Sequence, residues 1–180
     1  MFLRPVVSTA IGLGAIVAAS ACDTQRASAK PRVISARDTA EQVLYGARSA
    51  LAANGVRRGD VAGDTVLVFD AATRFEFDGL RATFISPLGR PLGQLTAPSG
   101  TYRVPGGVVA HGATTIVSDT LPRRIQAHWV RYDPATNEIA SDSQFIATAG
   151  TRRLSGIGFI ADPGLFSVKC QKQCVGSLGP

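Results

Sequence analysis

Residues 123–164 read RRIQAHWVRYDPATNEIASDSQFIATAGTRRLSGIGFIADPG, and this stretch decides the fold class. Its apolar residues first alternate with polar ones, as in a strand with one buried face, at Ile125, Ala127 and Trp129. Residues that favour turns then interrupt the alternation three times, at 133–137, 149–151 and 162–164. The alternation resumes at Ile139, and the breaks delimit short strands near 143–148 and 153–161. The stretch predicts an all-β meander.

Strand and turn signals continue upstream. Apolar and β-branched segments predict strands at 66–69, 75–77 and 82–85, with a turn at 70–73 and a loop at 87–91. The 19 glycines and 10 prolines are spread along the chain, as in folds with many strands and turns. With 180 residues, 45% of them hydrophobic, the chain is long enough for one domain and an N-terminal segment.

The chain is basic, with a formal charge of +6 from 19 Lys or Arg and 13 Asp or Glu. Arginine outnumbers lysine, which favours paired contacts to carboxylate or phosphate groups. Three arginine pairs sit beside predicted turns, at 57–58, 123–124 and 152–153. Because no aromatic-rich basic face lies between them, we do not expect a nucleic-acid partner.

The first 21 residues are typical of an export signal, with an early arginine and an apolar run that ends in small residues before Cys22. The run is shorter than the roughly 20 residues that usually span a bilayer, which favours a cleaved signal over an uncleaved anchor. Ala-Ser-Ala at 19–21 fits ordinary cleavage, and together with Cys22 it resembles a bacterial lipoprotein box. The cysteine count favours lipidation, since an acylated Cys22 would leave Cys170 and Cys174 as a pair in an oxidising compartment.

Residues 22–40 mix Ser, Ala, Pro and charged residues without a sustained apolar period, and we predict that they form a tether. Asp23 directly follows Cys22 and resembles the inner-membrane retention residue of some bacterial lipoproteins. We therefore expect a periplasmic protein anchored in a membrane, with the inner membrane favoured.

The residues that usually carry catalysis are scarce. The two histidines, His111 and His128, are more typical of a strand surface or a strand end than of a catalytic site. No metalloprotease, nucleophile-elbow, phosphate-loop or Cys-x-x-Cys pattern occurs in the sequence. Gly156-Ile157-Gly158 lacks the third glycine and the following helix of a dinucleotide fingerprint. We therefore expect a protein that is not an enzyme and needs no metal or other cofactor.

Cys170 and Cys174 are four residues apart. In a straight strand their Cα atoms would lie about 13 Å apart, which is beyond disulfide reach. We therefore expect the last strand to end near Lys169 and residues 170–180 to form a tail that curls into a turn. A structural disulfide is favoured over a metal site, because two thiolates need further ligands.

Five groups of residues in the opening stretch carry a resemblance to a known family: Tyr132-Asp133-Pro134, Asn137-Glu138-Ile139, Ser141-Asp142, Gly156-Ile157-Gly158-Phe159 and Asp162-Pro163. In this order they resemble the C-terminal half of the LptC family, the periplasmic component of the lipopolysaccharide export ABC transporter. OstA-like periplasmic domains share the same rhythm of turns and strands, so both remain open. The resemblance implies an open, elongated β-jellyroll of antiparallel strands over residues 41–169.

Residues 41–53, EQVLYGARSALAA, contain good helix formers. The resemblance instead places the first strand here, and Asn54-Gly55 is a strong hairpin signal that would close it. We therefore predict a strand.

The resemblance also implies a groove for the acyl chains of lipopolysaccharide between two sheets that do not fully close. Candidate lining residues are apolar side chains of the predicted strands: Phe75, Phe77, Phe84, Leu95, Val109, Ile116, Ile125, Trp129, Ile139 and Phe145. The implied partners are an inner-membrane lipopolysaccharide ABC transporter and a periplasmic OstA-like bridge protein. The bridge protein would dock by edge-strand pairing at the C-terminal end, around 156–161 or 166–169.

A second hypothesis is a structural β-sandwich lipoprotein of the envelope that carries no lipid. It requires only that the same apolar side chains form a closed core, which is their usual place in an antiparallel sheet.

Overall fold

The computed structural model describes residues 35–179. These residues form one short helix and eleven antiparallel strands: α1 Ala36–Thr39, β1 Gln42–Tyr45, β2 Arg48–Ala53, β3 Val56–Ala62, β4 Thr65–Phe69, β5 Arg74–Ile85, β6 Pro91–Arg103, β7 Val108–Ser118, β8 Arg123–Asp133, β9 Glu138–Ala149, β10 Arg152–Ala161 and β11 Val168–Gly176. The predicted all-β class is confirmed. The strands of the meander are longer than predicted, since β5 to β10 contain 10 to 13 residues each.

All eleven strands belong to one open sheet. Strands β4 to β11 pair in sequence order, and β1 adds to β4 at one end. Strand β5 is long enough to pair with β4 over its first half and with β3 over its second half, and β3 carries β2. Within the described residues β11 pairs only with β10, so the sheet does not close into a barrel. The result is an open, elongated β-jellyroll-like fold.

The segment with good helix formers is indeed extended. Residues 42–45 and 48–53 form β1 and β2, and β2 turns into β3 at Asn54-Gly55. Asn54 and Gly55 have φ values of 53° and 75°, the left-handed pair that a tight hairpin turn requires. Tertiary pairing and the turn therefore override the local helix preference.

The long strands bend at their middle. In β5 the buried positions change from odd to even numbers between Phe77 and Leu80, and in β8 they change between Ala127 and Val130. Strands β7 and β9 instead contain one extra residue relative to their neighbours at this level. Glycines in the left-handed region stand at these points in three strands: Gly79, Gly112 and Gly158, with φ of 67°, 85° and 74°. We call this row of irregularities the bend line.

The bend line divides the sheet into two halves. We call them the Phe84 half and the Tyr132 half, after one buried residue of each. In a flat sheet, three strand spacings and nine residues of strand would separate these two residues by about 33 Å. Their ring centroids are 4.6 Å apart. Since only a folded sheet brings them together, the two halves pack face to face and enclose the apolar core.

The halves pack so closely at Gly100 that there is little room for a side chain at this position. A Cβ at this position would lie 2.4 Å from Cδ2 of Leu80, which belongs to the other half. Leu80 itself is 1% exposed. A side chain at position 100 would therefore have to displace the Leu80 side chain and would also crowd the Val109 carbonyl oxygen of the neighbouring strand.

Helix α1 lies in the last part of the segment predicted to be a tether. The Ser35 backbone N–H donates to the Asp38 carboxylate at 2.9 Å, which closes a capping box, and Arg37 lies 3.8 Å from Asp78 of β5. The predicted signal segment 1–21, Cys22 and the predicted tether up to residue 34 lie outside the described residues.

The last strand does not end near Lys169, as the spacing of the cysteines had suggested. Cys170 and Cys174 form a disulfide inside β11, with 6.0 Å between their Cα atoms. The chain shortens by a bulge at Gln173, which has φ of 48°, and three residues of β11 there span two of β10. The prediction was wrong because it assumed a straight strand.

Candidate functional site

Seven of the ten candidate groove residues lie in the core between the two halves. Each is at most 3% exposed: Phe77, Phe84, Leu95, Ile116, Ile125, Ile139 and Phe145. They belong to one continuous apolar cluster that reaches every strand from β2 to β10. In this conformation they pack on one another, so a lipid could reach them only if the halves separate.

The other three candidates lie elsewhere. Phe75 is half-buried against the core and stacks on Tyr102, with 5.9 Å between the ring centroids. Val109 and Trp129 lie on the outer face of the Tyr132 half, where Val109 lines a pocket of about 420 Å³ together with Arg103 and Arg131. The structure therefore does not bring all ten residues onto one surface.

The prediction that Trp129 shares a face with Ile125 and Ala127 is wrong. Trp129 pairs across the strands with the exposed His111, whereas its neighbour Val130 is 0% exposed and pairs with Ala110 of the core. The bend in β8 shifts the alternation by one residue, and such a shift moves every later side chain to the opposite face.

Hydroxyl groups stabilise the backbone at this bend. The Trp129 carbonyl oxygen accepts a hydrogen bond from Ser141 Oγ at 2.5 Å. Ser141 Oγ lies 2.8 Å from Ser143 Oγ and also accepts a bond from the Ser143 backbone N–H. Ser141 is buried, so these bonds satisfy polar groups that the irregular pairing leaves without a strand partner.

A loop at residues 162–167, the closing loop, covers one end of the core. Its Leu165 is 0% exposed and has φ of 56°. The Asp162 carboxylate accepts hydrogen bonds from the backbone N–H groups of Gly164, Phe166 and Ser167, and this network holds the loop in shape. The sequence predicted only a turn here and gave no sign that Leu165 fills the core.

Hydrogen bonds join the closing loop to residues of the Phe84 half that precede it by more than 40 positions in the sequence. Ser118 Oγ, at the end of β7, donates to the Gly164 carbonyl oxygen at 2.7 Å. The Arg123 guanidinium, at the start of β8, donates to the carbonyl oxygens of Leu165 and Phe166 at 2.8 Å. Arg123 is therefore a structural residue that bonds backbone carbonyl groups, whereas the sequence placed it only in an arginine pair beside a predicted turn.

Tyr132 closes the interior of its own half. Its hydroxyl donates to Asn137 Oδ1 at 3.1 Å in the β8–β9 turn, and its ring is 0% exposed. Burial raises the pKa of Tyr132 to about 12, against a smaller opposing effect of the nearby Arg58 guanidinium. Arg58 Nε is buried and has no hydrogen-bond partner within residues 35–179.

The edge strands β11 and β1 differ in their chemistry, and β2, which pairs only with β3 within the described residues, is a third edge strand. At the C-terminal edge, β11 carries Lys169 and Lys172, the disulfide and the bulge, all of which discourage pairing with another strand. At the N-terminal edge, β1 exposes 74% of Tyr45 and 40% of Leu44 and contains no charged residue. The C-terminal edge was the predicted docking edge, and the N-terminal edge is the less protected one.

Neither histidine lies in a catalytic arrangement. His111 and His128 are both exposed on outer faces, and neither makes a side-chain hydrogen bond within the described residues. In residues 35–179, no three His, Cys, Asp or Glu side chains come together as potential metal ligands. None of the helical residues that the structure describes forms a segment long and apolar enough to cross a bilayer.

No model of a known protein family matches the chain, and no curated protein matches it. The resemblance of the opening stretch to LptC thus stays a prediction, and fold and site geometry carry the functional argument.

Proposed function

We propose that the protein is a periplasmic, membrane-tethered and non-enzymatic carrier of lipopolysaccharide. It would receive the lipid from an inner-membrane ABC transporter and pass it to a periplasmic bridge protein. The observation that carries the proposal is an apolar interior enclosed between the two halves of a single open sheet. Acyl chains gain about 0.8 kcal/mol per CH₂ buried in such an interior, so successive carriers can exchange them at little net cost.

The sheet topology supports access to this interior. The halves are joined by covalent chain along the bend line. Across the interior they are held by side-chain contacts such as Phe84–Tyr132 and by the three hydrogen bonds from Ser118 and Arg123 to the closing loop, which would have to break on opening. On the open side β11 has no strand partner other than β10 within the described residues. The halves can therefore part without loss of the ladder hydrogen bonds between neighbouring strands, which is the motion that lipid entry requires.

The rival function is a structural β-sandwich of the envelope that carries no lipid. A specific observation favours it, namely that seven candidate groove residues are at most 3% exposed and already pack on one another. Such a core needs no ligand to satisfy it. The two functions share the fold and differ in whether the core opens.

Native mass spectrometry of the protein extracted from membranes separates these two functions. A carrier should retain an adduct with the mass of a lipid A-containing glycolipid. Trp129→Asp should retain the same adduct, because Trp129 lies outside the interior. Protein that is free of lipid in every preparation, while a control lipid-binding protein keeps its ligand, would favour the structural sandwich.

Transfer to the bridge protein would use a free edge of the sheet. Val168→Pro in β11 should weaken capture of the bridge protein if the C-terminal edge docks, because proline disturbs strand pairing. Leu44→Pro in β1 is the matched change at the opposite edge. If only Leu44→Pro weakens capture, the docking edge is the N-terminal one.

A further inference from the structure

A pocket of about 560 Å³ lies on the outer face of the Phe84 half, away from the apolar interior. We call it the outer-face pocket. Its polar lining includes outward-pointing side chains of neighbouring strands: Thr115, Gln126, His128, Gln144, Arg153 and Ser155. Ile146 and Ile157 supply the apolar part of its floor, and no carboxylate lines it.

Three hydrogen-bonding side chains of this pocket have no protein partner within the described residues. Within the described residues, the side chains of Gln126, Gln144 and Ser155 form no hydrogen bond with other protein groups, whereas the hydroxyls at the bend and beside the closing loop are all engaged. Carboxamides and hydroxyls offer both donors and acceptors. Together with an apolar floor they suit a ligand that presents many hydroxyl groups on a carbon frame.

The charge around the pocket is positive and uncompensated. The five ion pairs among residues 35–179 all lie between residues 37 and 81, far along the chain from this pocket. Arg124 and Arg153 stand in one cross-strand row with Thr148 between them, which places their Cα atoms about 10 Å apart. Lys172 of β11 pairs with Ile157 of the pocket floor. An anionic ligand would meet these cations without competition from a carboxylate.

We propose that the outer-face pocket binds a phosphorylated saccharide. The arginines would hold phosphate through charge-assisted hydrogen bonds, and the carboxamides and hydroxyls would bond sugar hydroxyls. A nucleic acid is a poorer fit, because the one Phe, Tyr or Trp among the lining residues is Phe145, whose side chain is 3% exposed and cannot stack on a base. The saccharide is either the headgroup of a glycolipid or a free phosphorylated sugar. Both can reach the pocket, because it lies on the outer face and the two halves need not separate to expose it.

The binding test uses the full-length protein and calorimetric titration. The probes are lipopolysaccharide stripped of its acyl chains, the same oligosaccharide after phosphatase treatment, intact lipopolysaccharide and inorganic phosphate. The acyl-free phosphorylated oligosaccharide should bind, and its dephosphorylated form should bind at least about tenfold more weakly. Binding of inorganic phosphate as tight as that of the oligosaccharide, or no binding of the acyl-free probe, would overturn the proposal.

Matched double variants identify the site. Arg124→Ser with Arg153→Ser should weaken binding of the acyl-free probe about tenfold or more, because it removes two charge-assisted contacts. Arg103→Ser with Arg131→Ser removes the same charge from the outer face of the Tyr132 half and should change affinity less than about twofold. Equal losses in both variants would mean non-specific attraction and would contradict the assignment.

The outcomes also separate this site from the carrier function. If intact lipopolysaccharide binds and its acyl-free form does not, the carrier proposal stands and the outer-face pocket is refuted. If the acyl-free form binds through Arg124 and Arg153 while no lipid adduct is found on the purified protein, the pocket stands and the carrier proposal falls.

Discussion

Trp129 and Val130 are neighbours in β8 and point to opposite faces of the sheet. Val130 is 0% exposed inside the core, and Trp129 lies on the outer face beside His111. The bend line passes at this point, so the exchange of faces follows from the fold of the whole sheet. Apolar character alone therefore does not identify the residues of the interior.

This relationship predicts different outcomes for aspartate substitutions at the neighbouring positions Val130 and Trp129. Val130→Asp should lower the free energy of unfolding by at least about 3 kcal/mol, because it buries a charge without a partner. Trp129→Asp should change it by about 1 kcal/mol or less, since its carboxylate remains in contact with water. Urea denaturation of both variants measures the difference. Equal destabilisation would mean that Trp129 packs in the core after all.

The closing loop should contribute to stability through one side chain. Leu165→Ala should cost about 2–5 kcal/mol in free energy of unfolding, as expected for a fully buried leucine. Its neighbour Phe166, which is 55% exposed, is the matched control, and Phe166→Ala should cost about 1 kcal/mol or less. Thermal or urea unfolding of the pair tests this, and a larger effect at Phe166 would show that the loop is seated differently.

The disulfide in β11 should stabilise both the chain and its C-terminal edge. It closes a loop of only five residues, for which loop-closure entropy predicts a contribution of about 2 kcal/mol. Cys170→Ser with Cys174→Ser should therefore lower stability by about this amount and speed amide hydrogen exchange in β10 and β11. Unchanged exchange in the double variant would show that the bulge at Gln173 persists without its covalent link.

Tyr132 predicts a loss of stability at alkaline pH. Its pKa of about 12 in the folded state exceeds the usual value of 10.0, so the folded protein resists ionisation of this group more than the unfolded chain does. The stabilisation is complete below pH 10 and is lost as the pH rises towards 12, by about 2–3 kcal/mol. Tyr132→Phe should lower stability slightly at pH 8, through the lost bond to Asn137, and should flatten the decline above pH 10. If the stability of Tyr132→Phe fell as steeply above pH 10 as that of the wild type, the decline would come from groups other than Tyr132.

Local signals located several strands and turns of this fold, although the strands predicted at 75–77 and 82–85 are parts of one strand, β5. Asn54-Gly55 located a hairpin within residues otherwise suited to a helix, and the turn residues at 133–137 separated β8 from β9. These signals act within a few residues, so one sequence is enough to read them. The order of pairing along the meander follows from the same turns.

The placement of the site residues was harder to predict, because it depends on the bend line. In β5 a glycine marks the change of face, and the spacing from Phe77 to Leu80 could have shown it. In β8 no glycine stands at the change, and the alternation through Ala127 continues without a break to Trp129. The burial of Leu165 depends on contacts with residues more than 40 positions away, which no local pattern records.

The most direct test of the carrier function is photocrosslinking in cells from a single residue on each side of the sheet. A photoreactive amino acid at Phe77, which is 3% exposed in the interior, should form adducts with lipopolysaccharide during export. The same amino acid at Trp129, on the outer face of the same half, should form few or none. Adducts from Phe77 alone are the predicted result. Adducts from neither position, in folded protein at normal levels, would contradict the account and leave a closed structural sandwich.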